Sequence, residues 1–205
     1  DHSCAIKADG TVRCWGEGSN YRLGYGNNGD RSTPTATASL GTNRTAVDIT
    51  AGDTHTCVIL DDGTVSCWGS NNYGELGDGT TTTRSTPTQT LYLGRPAIAI
   101  EAGFDFTCAL MDNGSIMCWG RNNYGQIGIG TTSASEPPTI LNNDTYPPSS
   151  NAIWYRSLEV AYRDIAVGAN HACALTQPIA DHLEEELVCW GNGADSQTGQ
   201  FAVTD

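Results

Sequence analysis

The chain has 205 residues, enough for one sizeable domain or a handful of small repeated units. Its 23 acidic against 10 basic side chains give a net charge of −13, a surface that repels phosphate backbones and argues against nucleic acid as a partner. No stretch approaches 18 apolar residues, so no membrane span is expected, and 24 glycines with only 16% charged residues suit a turn-rich β protein.

The sequence starts at Asp1 without a Met or a leader and reads as a processed or excised segment of a longer precursor. From His2, HSCAIKADGTVRCWG predicts two strands flanking the loop Ala8-Asp9-Gly10, followed by a turn-rich block, SNYRLGYGNNGDRSTPT. The pattern returns as AVDITAGDT, HTCVILDDGTVSCWG and SNNYGELGDGTTTTRSTPT. It returns again as AIAIEAGFD, FTCALMDNGSIMCWG and RNNYGQIGIGTTSASEPPT. The last copy is DIAVGAN and HACALTQPIADHLEEELVCWG. Self-similarity at a period of about 51 residues is the signature of a repeat architecture. The boundaries predicted are units of about 1–45, 46–96, 97–160 and 161–205 in a single repeat domain.

The hairpins fix the cysteines. Asp61-Asp62-Gly63 is a three-residue loop with Gly where a left-handed residue is needed. Pairing Leu60 with Thr64 then sets Cys57 opposite Cys67, and the same register sets Cys4 opposite Cys14 and Cys108 opposite Cys118. Cys173 and Cys189 fit the same hairpin with a longer tip. Opposed residues on antiparallel strands lie about 4.5–5.5 Å apart at Cα, within reach of a disulfide. A zinc site favours cysteines roughly two to four residues apart, a spacing absent here. Four disulfides are therefore expected, and with them an oxidising, extracellular or cell-surface setting. HTCVIL and FTCALM are nearly continuous apolar runs, which marks strands covered on both faces by neighbouring units. Trp15, Trp68, Trp119 and Trp190 point away from the disulfide face and fill the space between units.

These motifs, best preserved from Ala46 to Thr86 and from Ala97 to Thr132, resemble the repeats of the regulator of chromosome condensation family. The paired cysteines look like its secreted bacterial form and not the nuclear one. The resemblance implies an all-β, β-propeller-type fold, in the family usually seven four-stranded blades. Here four units of antiparallel strands are present, and the first lacks its AG-containing strand. The terminal run Phe201, Ala202, Val203 resembles the start of such a strand. It is expected to close a small ring, or to complete the first unit of a neighbouring chain in an open, fibre-forming array, or the 205 residues are an excerpt of a seven-bladed chain.

Catalytic chemistry is not in evidence: no P-loop, GxSxG or HExxH motif occurs, and no cysteine is left over as a nucleophile. No cofactor or metal is expected. His2, His55 and His171 share one repeat position that also accepts Phe106, which reads as packing. His182 beside Glu184, Glu185 and Glu186 reads as a solvated loop, and the loops Asn27-Asn28-Gly29-Asp30 and Gly77-Asp78-Gly79 read as turns because neither has calcium-loop spacing. Glycosylation sequons stand at Asn43, Asn113 and Asn143, with Asn43 and Asn143 the better acceptors, and Thr80 to Thr83 is open to O-linked sugar. The insertion holding Tyr146, Trp154 and Tyr155 breaks the period and is the expected contact surface. The function expected is an extracellular, non-catalytic structural or interaction protein that self-assembles head to tail. The alternative is a secreted propeller binding one protein partner; a glycan-acting enzyme or a guanine-nucleotide exchange factor ranks below both.

Overall fold

The computed structural model describes residues 1–141, 161–177 and 185–193. They form four antiparallel sheets. The first holds β1 (His2–Ile6), β2 (Val12–Gly16) and β3 (Arg31–Ala36), with a short 3-10 turn at Ser19–Tyr21. The second holds β4 (Ala46–Ala51), β5 (His55–Leu60), β6 (Val65–Gly69) and β7 (Arg84–Gln89). The third holds β8 (Ala97–Ala102), β9 (Phe106–Met111), β10 (Ile116–Asn122) and β11 (Ser133–Ile140). The fourth holds β12 (Tyr162–Val167), β13 (His171–Thr176) and β14 (Leu187–Gly191). No helix among the described residues is long and apolar enough to cross a membrane.

Each of the first three sheets is a meander whose centre is an Asp-Gly or Asn-Gly hairpin. Leu60 N–H donates to Thr64 O and Ser70 N–H to Thr54 O, so hydrogen-bonded pairs alternate along β5 and β6. Cys57 and Cys67 fall on the intervening, closer kind of pair. Gly63, at φ +77°, supplies the left-handed residue that turns the chain. The outermost strands β3, β7 and β11 carry Pro34, Pro87, and Pro137 with Pro138. Proline has no N–H to donate and is tolerated only on such an edge.

Successive sheets stack as blades, with the first strands β4, β8 and β12 neighbouring one another in turn. Ile100 N–H donates to Asp48 Oδ2 (3.2 Å) and Ala102 N–H to Thr50 Oγ1 (3.0 Å), tying β8 to β4. Strands β5 and β9 are buried along their whole length, whereas β1 alternates between half-buried and exposed. The core is three slabs, one in each gap between sheets. Among the described residues the fourth sheet does not pack on the first, so the sheets form an open row and not a closed ring.

Candidate functional site: the junctions between units

One arrangement recurs at every gap. The disulfide of one unit faces the indole of the next: Cys14 packs with Trp68, Cys57 and Cys67 with Trp119, and Cys108 and Cys118 with Trp190. The four disulfides join Cys4–Cys14, Cys57–Cys67, Cys108–Cys118 and Cys173–Cys189, with Cα separations of 4.1, 4.1, 4.1 and 4.0 Å, and no free cysteine is left. Each indole reaches back to a backbone carbonyl of the preceding unit. Trp68 Nε1–H donates to Arg22 O (2.9 Å), Trp119 Nε1–H to Glu75 O (2.9 Å) and Trp190 Nε1–H to Gln126 O (2.8 Å).

Three glycines make room for this. A methyl group on Gly24 would lie 2.5 Å from Trp68 Nε1, one on Gly77 2.8 Å from Trp119 Nε1, and one on Gly128 2.9 Å from Trp190 Nε1. The glycine of the AG motif serves the ring three residues on: a methyl on Gly52 would lie 2.5 Å from the His55 imidazole, and Gly103 and Gly168 bear the same relation to Phe106 and His171.

The same carbonyls accept a second hydrogen bond from a threonine. Thr56 Oγ1–H donates to Arg22 O and Thr107 Oγ1–H to Glu75 O, both at 2.9 Å. With its one proton spent, each hydroxyl accepts from a histidine of the preceding unit: His2 Nε2–H on Thr56 (2.7 Å) and His55 Nε2–H on Thr107 (2.9 Å). This fixes the Nε2–H tautomer, and His55 Nδ1 is left buried without a partner. Burial above all holds His55 down at about 3 and His2 at about 4, the latter helped by the Arg22 guanidinium, so both rings are neutral in the fold.

Charges near the junctions follow the same logic. The buried Glu75 carboxylate accepts from Ser70 Oγ (2.8 Å) and Tyr73 N–H (2.7 Å), yet burial pushes its pKa up. Glu101 on β8 is also pushed up, first by burial and then by the charges of Asp48 and Asp164. The loops weighed for calcium are engaged in turns. Asn28 Oδ1 accepts from Tyr21 N–H and Asp30 Oδ1 from Gly18 N–H, while Asp78 takes Thr80 N–H on one oxygen and Arg84 on the other.

The sequons differ. Asn43 is exposed, at φ +57°, between β3 and β4. Asn113 caps its own hairpin, its Oδ1 accepting from Ser115 N–H (3.1 Å) and Ser115 Oγ (2.8 Å). Asn143, Tyr146, Trp154, Tyr155, His182, Phe201, Ala202 and Val203 lie outside the described residues. Sequence reasoning missed the threonine partners of the histidines. The signal was there: where His gives way to Phe106, the threonine one unit on gives way to Ala172.

Two patterns described as the regulator of chromosome condensation (RCC1) repeat match the chain, one over residues 9–59, 62–110 and 113–175, the other over 46–75 and 97–126. The chain belongs to the RCC1 repeat family. It is similar to the Ultraviolet-B receptor UVR8 of Arabidopsis thaliana, at 31% identity over 206 residues, covering 100% of this chain and 42% of UVR8. Among solved structures it is similar to human WBSCR16, with a TM-score of 0.72 and 23% identity over 93% of this chain and 45% of that one. It is also similar to yeast RCC1 (Prp20) bound to Kap60, with a TM-score of 0.69 and 22% identity over 86% of this chain and 38% of that one. The chain thus spans less than half the length of each of these proteins.

Proposed function

We propose that this RCC1-type chain is a non-catalytic structural and interaction protein of an extracellular or cell-surface setting, and that it assembles head to tail with copies of itself. What supports this reading is that one junction, the disulfide of a unit against the indole of the next, is made at each of the three gaps between sheets. Four hairpin disulfides with no free thiol suit an oxidising compartment. The exposed Asn43 is the sequon best placed for a glycan. Sedimentation velocity over a range of concentrations, followed by electron microscopy, tests assembly: growth of the particle with concentration is expected, and a monomer throughout would sink the reading.

A second reading is a module that holds one specific protein partner. It is favoured by Tyr92, 85% exposed beside Leu91 at the mouth of a cleft lined by Asp62, Gln89 and Arg95. The relative Prp20 was solved with Kap60 bound, so a member of the fold holds a protein partner. Isolation of the native material as a complex of fixed stoichiometry with a different protein would favour it over self-assembly.

A further inference from the structure

The slabs between sheets set an electron donor against an electron acceptor. Excited indole gives up an electron readily, and a disulfide takes one into its empty S–S antibonding orbital. At the middle junction Trp119 and both sulfurs of Cys57–Cys67 share one slab, all sealed from solvent. Cys57 Sγ is 3.9 Å from Thr107 Oγ1, and that hydroxyl shares the Glu75 carbonyl with Trp119 Nε1–H. One hydroxyl and one carbonyl therefore separate the indole nitrogen from the bridge. Gly77 lets the ring sit there, since a methyl at that position would lie 2.8 Å from Nε1. The same pair is built from Trp68 with Cys14 and from Trp190 with Cys108 and Cys118.

Little else in the slab competes for the electron. Ile59, Leu76, Ile100 and Ala109 are saturated side chains. The imidazole bonded to Thr107, His55, is neutral because burial holds it at about 3, and it is the protonated ring that accepts an electron well.

We propose that each junction is a light-driven donor–acceptor pair that discharges ultraviolet energy without chemical change. The excited indole passes one electron to the S–S bond. This leaves an indole radical cation and a disulfide radical anion, and the electron then returns to restore both groups. No proton moves, because Trp119 Nε1–H points at a carbonyl that already accepts from Thr107 and is no base. No bond is lost, because the ladder holds Cys57 opposite Cys67 and the two opposite charges, dry and in contact, attract strongly. The indoles in the gaps are therefore dark.

Fluorescence of the full chain, excited where only indole absorbs, tests this. Trp119→Phe in the intact chain is expected to lower the emission by far less than one tryptophan's share. Cys57→Ala with Cys67→Ala is expected to raise the emission of Trp119 several-fold, and adding Trp119→Phe to that variant takes the gain away. Circular dichroism identifies a variant that has lost the fold; Trp119→Phe keeps every bridge and decides alone if the cysteine variant unfolds. Alkylation after long irradiation of the native chain is expected to find no new thiol. A full share lost with Trp119, unchanged emission without the bridge, or thiols released by light overturns the proposal, which stands apart from self-assembly.

Discussion

At the residue scale the molecule turns on neutral imidazoles. His55 and His2 are neutral in the fold down to about 3 and 4, whereas in the unfolded chain they gain a proton near 6.5. Between those values the unfolded state binds more protons, so stability from these groups is complete above pH 6.5 and drains away as pH falls. His55 has no group at Nδ1 to accept a second proton's hydrogen bond, so the ring cannot be charged in place. Urea unfolding at pH 7 and pH 4.5 reads this directly. The double variant His55→Phe with Thr107→Ala, the pair already used at Phe106 and Ala172, is expected to flatten the slope by up to about 1.4 kcal/mol per pH unit. Raised carboxylates such as Glu75 act in the opposite sense, losing their contribution as pH rises through their folded value, so the variant must be compared with wild type at each pH. An unchanged slope would mean the His55 ring is charged in the fold.

At the element scale the hairpins were the most legible part. A three-residue tip ending in Asp-Gly and two cysteines fix one register, and that register returns in the structure as Cys57 opposite Cys67. The unbroken apolar runs HTCVIL and FTCALM likewise return as strands covered on both sides. What the sequence hid was contact between elements about fifty residues apart. The ring position read as packing, and it does pack on Gly52, Gly103 and Gly168, but its hydrogen bond goes to a threonine in another unit. Two measurements belong here. Removing Cys57 and Cys67 together as alanines is expected to cost about 2.8 kcal/mol from loop entropy, plus the loss of buried sulfur packing. Removing the Cys4–Cys14 bridge, with the same loop length, carries the first cost and a smaller part of the second, because Cys14 is sealed against Trp68 but Cys4 is only half-buried. Equal losses by denaturant titration would show that the deeper burial of the Cys57–Cys67 sulfurs contributes nothing. Gly77→Ala at φ +66° puts a methyl against Trp119, while Gly125→Ala at φ +72° meets no atom within 4 Å. Both pay the left-handed backbone cost of about 1–2 kcal/mol, and only the first adds an overpacking cost of about 1–3 kcal/mol. Matching melting temperatures for the two would refute the close approach of the indole.

For the whole molecule, the family and the blade-like sheets follow from the repeat, but the work done by the chain does not, because the fold supports many functions. Treating the native protein with an alkylating reagent, with and without reductant, tests the compartment. No labelled cysteine before reduction is expected; labelling of any of the eight contradicts an oxidising setting. Adding the chain to a nucleotide-loaded small GTPase is expected to leave nucleotide release unchanged, and acceleration would restore the exchange-factor reading. The prolines of β3, β7 and β11 carry a consequence for crowded surroundings. A stranger's backbone seeking a ladder along the rim finds missing amide protons at Pro34, Pro87, Pro137 and Pro138. Sideways recruitment into amyloid-like layers is blocked there, so crowding cannot turn these rims into templates for another chain's strand.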